Sequence, residues 1–171
     1  RPVFVEQSAL AVRAWGGLPG GMTRSFVQAL GMVSLCKMLD GFEDRYAEAI
    51  WRAVESFVDG NPPFRTIQWS CGQETSIRAL SCMWAERALA SAPASTAARR
   101  ARLQDLLAWS GERVADAIEY AVSQRNNHGI SEATGLVAIG ARLSGAHPEA
   151  DSWLHEGAAL EVLRRLTGPF D

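Results

Sequence analysis

The chain has 171 residues, of which 17 are basic and 19 acidic, so its charge is nearly balanced. That length suffices for one domain with a buried core. A balanced charge does not indicate nucleic-acid binding, and no apolar run is long enough to span a membrane. We therefore expect a globular domain with no nucleic-acid partner and no membrane insertion.

Both ends of the chain indicate an excerpt. It starts at Arg1 without an initiator Met and stops after Gly168-Pro-Phe-Asp171, which has the composition of a loop. The expectation is a single helical domain over residues 1–171 that is a fragment of a longer protein.

The three cysteines do not indicate a zinc site or a disulfide framework. Cys36, Cys71 and Cys82 are widely spaced and contain no Cys-x-x-Cys pair. Cysteines of this kind are usually small buried hydrophobes.

Helical periodicity dominates the chain, and no segment is a convincing strand. Breakers rich in glycine and proline separate the apolar stretches. The predicted helices are Pro2–Trp15, Thr23–Leu39, a stretch from about Tyr46 to Val58, Cys71–Ala90, Thr96–Val122, Gly129–Leu143 and a last one from Pro148 to Thr167.

Three of these segments carry specific expectations. In the fourth helix the predicted core residues are Ile77, Leu80, Met83, Trp84 and Leu89. Gly111 is a possible interruption of the fifth helix. The sixth is rich in small residues and is predicted to pack closely against its neighbours.

Short connections between the helices predict antiparallel hairpins, and the alternation of small-residue and bulky helices favours a ring over an open solenoid.

The segment from Ser123 to Leu136 is the most informative stretch. Asn126, Asn127 and His128 stand where the sixth helix begins, and a helix N-terminus presents free N–H groups and partial positive charge. Such a cluster suits an anionic group, with a carboxylate as the first candidate. The alternative is local: Asn before a helix is an ordinary N-cap, and a lone His is usually packed or solvated.

The segment from Asn61 to Arg78 is the second unusual one. Gln68 and Trp69 lie just before a helix start, where an indole could pack against a sugar ring or simply belong to the core. Glu74 and Arg78 share a helical face. Their pairing is either a surface ion pair of about 0.3–0.5 kcal/mol or a buried pair that orients Gln68 and Trp69.

Taken in order, these segments resemble the heparinase II/III-like family of polysaccharide lyases. The resemblance covers Met22 to Asp171. The residues that carry it are Asn61-Pro62, Gln68-Trp69, Glu74 with Arg78, Asn126-Asn127-His128 with Glu132 and Gly135-Leu136, and His147-Pro148 with Trp153. It implies an all-α fold in which antiparallel helical hairpins form an incomplete α/α toroid, followed by a β-sandwich absent from this chain.

The resemblance also implies a reaction, β-elimination in a uronic-acid polysaccharide. Asn127 and His128 match the pair that neutralises the substrate carboxylate, which stabilises charge developing on its oxygens. Glu132 would hold the His128 ring. The residues expected to contact substrate are Gln68, Trp69, Asn126, Glu132, Glu74 and Arg78.

The sequence departs from the family pattern in two places. Gln68 replaces the usual Asn, and neither Tyr46 nor Tyr120 lies in the motif of the proton-shuttling Tyr, so the isolated fragment is expected to be inactive. The implied partner is an anionic polysaccharide or oligosaccharide, with no cofactor and no metal. A periplasmic or extracellular location is mildly favoured by the resemblance.

Two alternatives remain open. One is a non-catalytic helical module that binds glycan or protein. The other is an α/α-toroid glycoside hydrolase, which needs two carboxylates across a cleft. Glu74, Asp116 and Glu132 offer no convincing pair.

Overall fold

The structure is a computed structural model that describes residues 44–167, with side-chain burial over residues 47–160. The helices predicted over Pro2–Trp15 and Thr23–Leu39, together with Cys36, lie outside these residues. Of the remaining cysteines, Cys82 is buried as predicted and Cys71 is partly exposed.

The described part of the chain is helical throughout, which confirms the all-α prediction for it. No residue between 44 and 167 lies in a strand. The elements are α1 (Asp44–Gly60), a 3-10 turn (Ile67–Trp69), α2 (Gly72–Ala88), α3 (Ala97–Ala115), α4 (Ile118–Ser123), α5 (Asn127–Leu143) and α6 (Ala150–Thr167). No helix among these residues is both long and apolar enough to cross a membrane.

The helix predicted over Thr96–Val122 is in fact two helices. α3 ends at Ala115, the backbone tightens at Ala117, and α4 begins at Ile118. Gly111 does not interrupt α3. A Cβ on Gly111 would lie 2.4 Å from the Trp153 ring, so glycine is required there for packing rather than for a break.

The core predicted for the segment Cys71–Ala90 is right for Leu89, which is buried, and wrong for Ile77 and Trp84. Ile77 and Trp84 are exposed, at 42% and 53% of their surface, and small or polar residues are buried instead. The buried residues of α2 include Thr75, Ser76, Arg78, Ala79, Cys82 and Ala85. One reason is visible at Gly135 of α5, where a Cβ would lie 2.4 Å from the Ser76 hydroxyl. Such a close approach selects small side chains over apolar bulk.

The chain divides into two compact units, and the first contains the described residues 44–62 and 81–103. Its core includes Ile50, Trp51, Phe57, Leu89 and Leu103. The Trp51 indole N–H donates to the Ser95 hydroxyl at 2.9 Å, and that hydroxyl donates to the Leu89 carbonyl at 2.7 Å. This chain of bonds satisfies the polar atoms buried beside α1.

The second unit contains the described residues 63–80 and 104–167. Its buried residues include Leu106, Leu107, Val114, Ile118, Leu136, Ile139, Leu143 and Trp153. α5 and α6 form an antiparallel hairpin, because Gly140 meets Ala150 and Leu154 whereas Gly157 meets Ala133. The predicted close packing of the small-residue helix is therefore confirmed. The single-domain expectation stays a prediction.

Candidate functional site

At the start of α5 the structure agrees with the alternative in which the Asn before the helix is an ordinary N-cap. Asn126 has extended backbone, and its side-chain oxygen accepts the N–H of His128 at 2.9 Å. Asn126 is therefore an N-cap, which satisfies one of the free N–H groups of the helix. Arg125, just before it, has a positive φ of 50°, so the chain enters the helix through a sharp turn.

Asn127 and His128 face solvent to different degrees. Asn127 is exposed, and the His128 side chain is 33% exposed. The His128 Nδ1 atom lies 3.8 Å from Glu132 Oε1, one helical turn away. That separation exceeds a hydrogen bond, so the two groups interact as neighbours rather than as a bonded pair.

Glu132 is the most unusual residue of the second unit. Its side chain is 3% exposed, and the backbone N–H of Gln73 donates to its carboxyl group. Its Oε2 atom has no hydrogen-bond partner among the described residues. Gly72 leaves the room for this arrangement, since a Cβ there would lie 2.3 Å from Oε2. The carboxyl group thus lies against the start of α2.

Burial raises the pKa of Glu132 to about 7. The positive charge of Arg113 and the Gln73 N–H act in the opposite direction but do not cancel the loss of hydration. A carboxyl group with such a pKa exchanges its proton near neutrality, whereas an ordinary glutamate does so near pH 4.5.

The two unusual sequence segments lie against each other within the second unit. The Gln73 side-chain amide donates to the Ser131 hydroxyl at 3.1 Å. Gly72 approaches Glu132, and Gly135 approaches Ser76. The start of α2 therefore packs along the first three turns of α5.

Trp69 and Arg78 form a buried layer beneath this junction. Trp69 is 2% exposed, and Arg78 is fully buried with its guanidinium carbon 4.9 Å from the indole centroid. Arg78 donates to the Gln68 carbonyl at 3.0 Å and to the Thr75 hydroxyl at 3.2 Å. The surface alternative for Glu74 and Arg78 is wrong, because Arg78 has no exposed surface.

The aromatic rings of Phe64 and Trp69 are in tilted contact, with an angle of 52° between their planes. The Phe64 ring lies 5.6 Å from that of Trp69 and is half exposed, and Phe64 has a positive φ of 62°. Gln68 is half-buried, and Glu74 is half-buried in the first turn of α2. Pairing of Glu74 with Arg78 stays a prediction.

Arg113 was not anticipated from the sequence. Its Nε donates to the Trp69 carbonyl and its Nη2 to the Ser70 carbonyl, both at 2.6 Å. It fixes the end of the 3-10 turn just before α2. The residue lies far from both motifs in sequence, and no spacing rule points to it. Gly72, by contrast, is recognisable as a glycine at a predicted helix start.

Among residues 44–167, no group of three His, Cys, Asp or Glu side chains could hold a metal ion. His147 has another environment, with its ring stacked 4.7 Å from that of Trp153 and its Nε2 3.9 Å from Glu112. It takes no part in the junction of α2 with α5.

Curated proteins similar to this chain are described as inosine triphosphate pyrophosphatases. That of Aspergillus oryzae is 49% identical over 62 residues, which is 36% of this chain and 32% of the relative. That of Aspergillus fumigatus is 55% identical over 49 residues, 29% of this chain and 26% of the relative. That of Saccharomyces cerevisiae is 42% identical over 50 residues, 29% of this chain and 25% of the relative.

The chain thus matches about a quarter to a third of the length of these relatives. No family model matches the sequence. No solved structure matches it either.

These relatives overturn the resemblance to heparinase II/III-like lyases. They are nucleotide pyrophosphatases, so the inferred polysaccharide lyase, the glycan-binding alternative and the anionic polysaccharide partner are all wrong. The structure supplies a physical reason for the error. Asn126 caps a helix, Arg78 braces a turn, and Glu132 lies against a helix start. Residues selected by such local needs recur in unrelated helical proteins, so short patterns of them are weak evidence of a family.

Proposed function

We propose that this chain is part of a protein that hydrolyses a nucleoside triphosphate of the inosine type. The observation that supports the proposal is the 42–55% identity, over stretches of 49 to 62 residues, to inosine triphosphate pyrophosphatases of three fungi. In the proposed reaction, water attacks the α-phosphorus and the bond to the bridging oxygen breaks. The products are inosine monophosphate and pyrophosphate, with release of a proton.

The direct test is product analysis. The protein is incubated with inosine triphosphate, and nucleotides and phosphates are separated by anion-exchange chromatography. We expect inosine monophosphate and pyrophosphate in equal amounts, and slower turnover of ATP and GTP. If this protein consumes no purine triphosphate, while the Saccharomyces cerevisiae relative consumes inosine triphosphate in the same assay, the proposal is wrong.

At the residue level, we propose that Asn127 and His128 bind an anionic group of the substrate, which in a nucleoside triphosphate is a phosphate. Support comes from their position in the first turn of a 17-residue helix and from the exposure of Asn127. A neutral Glu132 beneath them does not oppose an anion. Phosphate groups are favoured at such a position by the helix dipole.

The remaining proposed residues are proposed to support the site rather than to contact the substrate. Trp69 and Arg78 are almost fully buried, so their proposed role is to hold the turn that carries Gln68 and the start of α2 that carries Glu74. Asn126 is committed to its capping bond, and its proposed contribution is to fix the direction of Asn127 and His128.

A matched pair of variants separates anion binding from helix capping. N127D places a negative charge at the exposed helix start and is expected to weaken binding of inorganic pyrophosphate about tenfold or more, with little change in stability. N126A removes the cap and is expected to cost about 1 kcal/mol of stability. Calorimetric titration with pyrophosphate and urea unfolding measure the two effects. Equal pyrophosphate affinity in N127D and the unmodified protein contradicts this assignment.

We also propose the finer architecture, in which antiparallel hairpins such as α5 with α6 continue into an incomplete α/α toroid. Its support is the close glycine-mediated packing of that hairpin, together with the further helix that each member meets: α5 meets α2 at Ser76, and α6 meets α3 at Gly111. A crystal structure of the longer protein with its hairpins stacked as an open solenoid would contradict it.

A further inference from the structure

We propose that Glu132 is a proton-operated latch between α5 and the start of α2: the neutral carboxyl group holds the two helices together, and its ionisation loosens their junction. The proposal concerns a buried acid to which the nucleotide chemistry above assigns no bond and no proton transfer, and its test does not depend on that chemistry.

The first support is the unequal environment of the two carboxyl oxygens. The carboxyl group receives the Gln73 N–H, yet Oε2 is buried without a hydrogen-bond partner among residues 44–167. A neutral carboxyl group tolerates one unbonded oxygen at modest cost. A carboxylate spreads its charge over both oxygens, and burial without compensating donors is then far more expensive.

The second support is that the neighbouring basic side chains do not hydrogen-bond Glu132. Arg113 of α3 attracts the carboxylate, but its guanidinium donates to the Trp69 and Ser70 carbonyls. His128, on α5 itself, lies 3.8 Å from Oε1. An ionised Glu132 would therefore attract two side chains that are placed elsewhere now: Arg113, which holds the turn before α2, and His128, which is partly exposed to solvent.

The other elements packed here contact Glu132 through uncharged groups, although α2 also carries the half-buried Glu74 and the fully buried Arg78, whose guanidinium donates to the Gln68 carbonyl and the Thr75 hydroxyl. α2 presents the uncharged Gly72 and the Gln73 N–H, and α6 meets α5 at Ala133 through Gly157. Arg113 and the Gln73 N–H are the groups that lower the pKa of Glu132, and they act against its burial. The pKa of about 7, raised by burial, places the change of state near neutral pH.

The sign of the pH dependence follows from this pKa. Because the folded state favours the proton, the benefit of the neutral carboxyl group is complete below the unfolded value of 4.5 and is lost as pH rises through about 7. E132Q mimics the neutral form and has no proton to lose. E119Q changes an exposed glutamate of α4 and is the matched control.

The test is a titration of the whole chain labelled with 13C at the glutamate carboxyl carbons. We expect one resonance with a midpoint near pH 7 that is missing from E132Q and retained in E119Q. The same transition is expected in the exchange of the Gln73 amide hydrogen, which should accelerate more than tenfold beyond its intrinsic rate between about pH 6 and 8. A purely structural carboxyl group would leave that exchange at its intrinsic pH dependence.

A second readout is thermal. Above pH 8, E132Q should melt on the order of 5–10 °C above the unmodified protein, and the gap should close below pH 5. If E132Q does not fold, the titration of the unmodified protein still decides, with the resonance assigned through its bonded neighbours. A protein in which no glutamate titrates above about pH 6 overturns the proposal.

Discussion

Two regions of this molecule hold glutamates in opposite ways. In the first unit, Arg99 of α3 donates to Glu48 at 2.6 Å and to Glu55 at 2.9 Å, both on α1. In the second unit, Glu132 is more deeply buried, and Arg113, whose charge attracts its carboxylate, bonds backbone carbonyls instead. The same side-chain types are available in both places.

The consequence is a divergence of pKa values. Hydrogen bonds from Arg99 and Arg52 lower the pKa of Glu48 to about 2, and the pKa of Arg99 is raised above its ordinary value by its two carboxylates. Burial raises the pKa of Glu132 to about 7. A direct bond to a cation thus outweighs partial burial, whereas a cation bonded elsewhere does not offset deep burial.

The largest expected effect comes from removing the arginine that does not bond its acid. R113M leaves the Trp69 and Ser70 carbonyls without their charged donor, and we expect a loss of about 2–3 kcal/mol in the free energy of unfolding. The loss should persist at pH 4, because carbonyl bonds do not titrate. It should grow above pH 7, where the Glu132 anion has also lost the attraction of the Arg113 charge. Urea unfolding at pH 4, 6 and 8 measures both parts.

The matched control for R113M is R87M. Arg87 is exposed near the end of α2, so its replacement should change stability by no more than about 0.5 kcal/mol. Equal losses in the two variants would mean that the carbonyl bonds of Arg113 contribute nothing. The contrast between the two regions would then rest on burial alone.

The next effect belongs to the region where acid and cation are bonded. R99M removes the partner of Glu48 and Glu55, and we expect a loss of about 1–2 kcal/mol at pH 7, moderated by the partial exposure of both carboxylates. Because the pKa of Glu48 is depressed to about 2, this stabilisation is present above 4.5 and disappears as pH falls through about 2. Thermal unfolding from pH 7 to pH 2 follows it. An equal deficit at pH 2 would show that Arg99 acts by packing rather than by charge.

Much of the fold could be predicted because helices are encoded locally. The stretches over α1, α5 and α6 show apolar residues at helical spacing, and breakers mark their ends. The buried face of α2 could not be predicted in the same way. It is set by α5, where glycine at 135 brings Ser76 within contact distance and leaves Ile77 exposed. That choice is tertiary and has no signature within α2.

In the candidate site, too, the residues set by local sequence could be predicted and those set by tertiary contacts could not. The polar cluster at the start of α5 and its neighbour Glu132 could be identified, since a helix start has a local sequence pattern. Arg113 could not, because it acts on residues more than forty positions away. The unpartnered oxygen of Glu132 depends on a contact with Gly72, sixty positions earlier. Function was misread because short motifs encode local bonds that many folds require.

The smallest expected effect tests whether solvent exposure limits the strength of an ion pair in the first unit. Arg52 bonds Glu48 at 2.9 Å, but the Arg52 side chain is 75% exposed and the pair is one turn apart on α1. Since solvent and salt screen such a pair, R52A should cost no more than about 0.5 kcal/mol, and the cost should vanish in 1 M salt. The pKa of Glu48 should stay well below its ordinary value in R52A, because Arg99 is the larger cause of the shift. Carboxyl-carbon titration of Glu48 in R52A and R99M therefore ranks the two cations directly. A larger upward shift in R52A than in R99M would reverse that ranking and remove the basis of the contrast with Glu132.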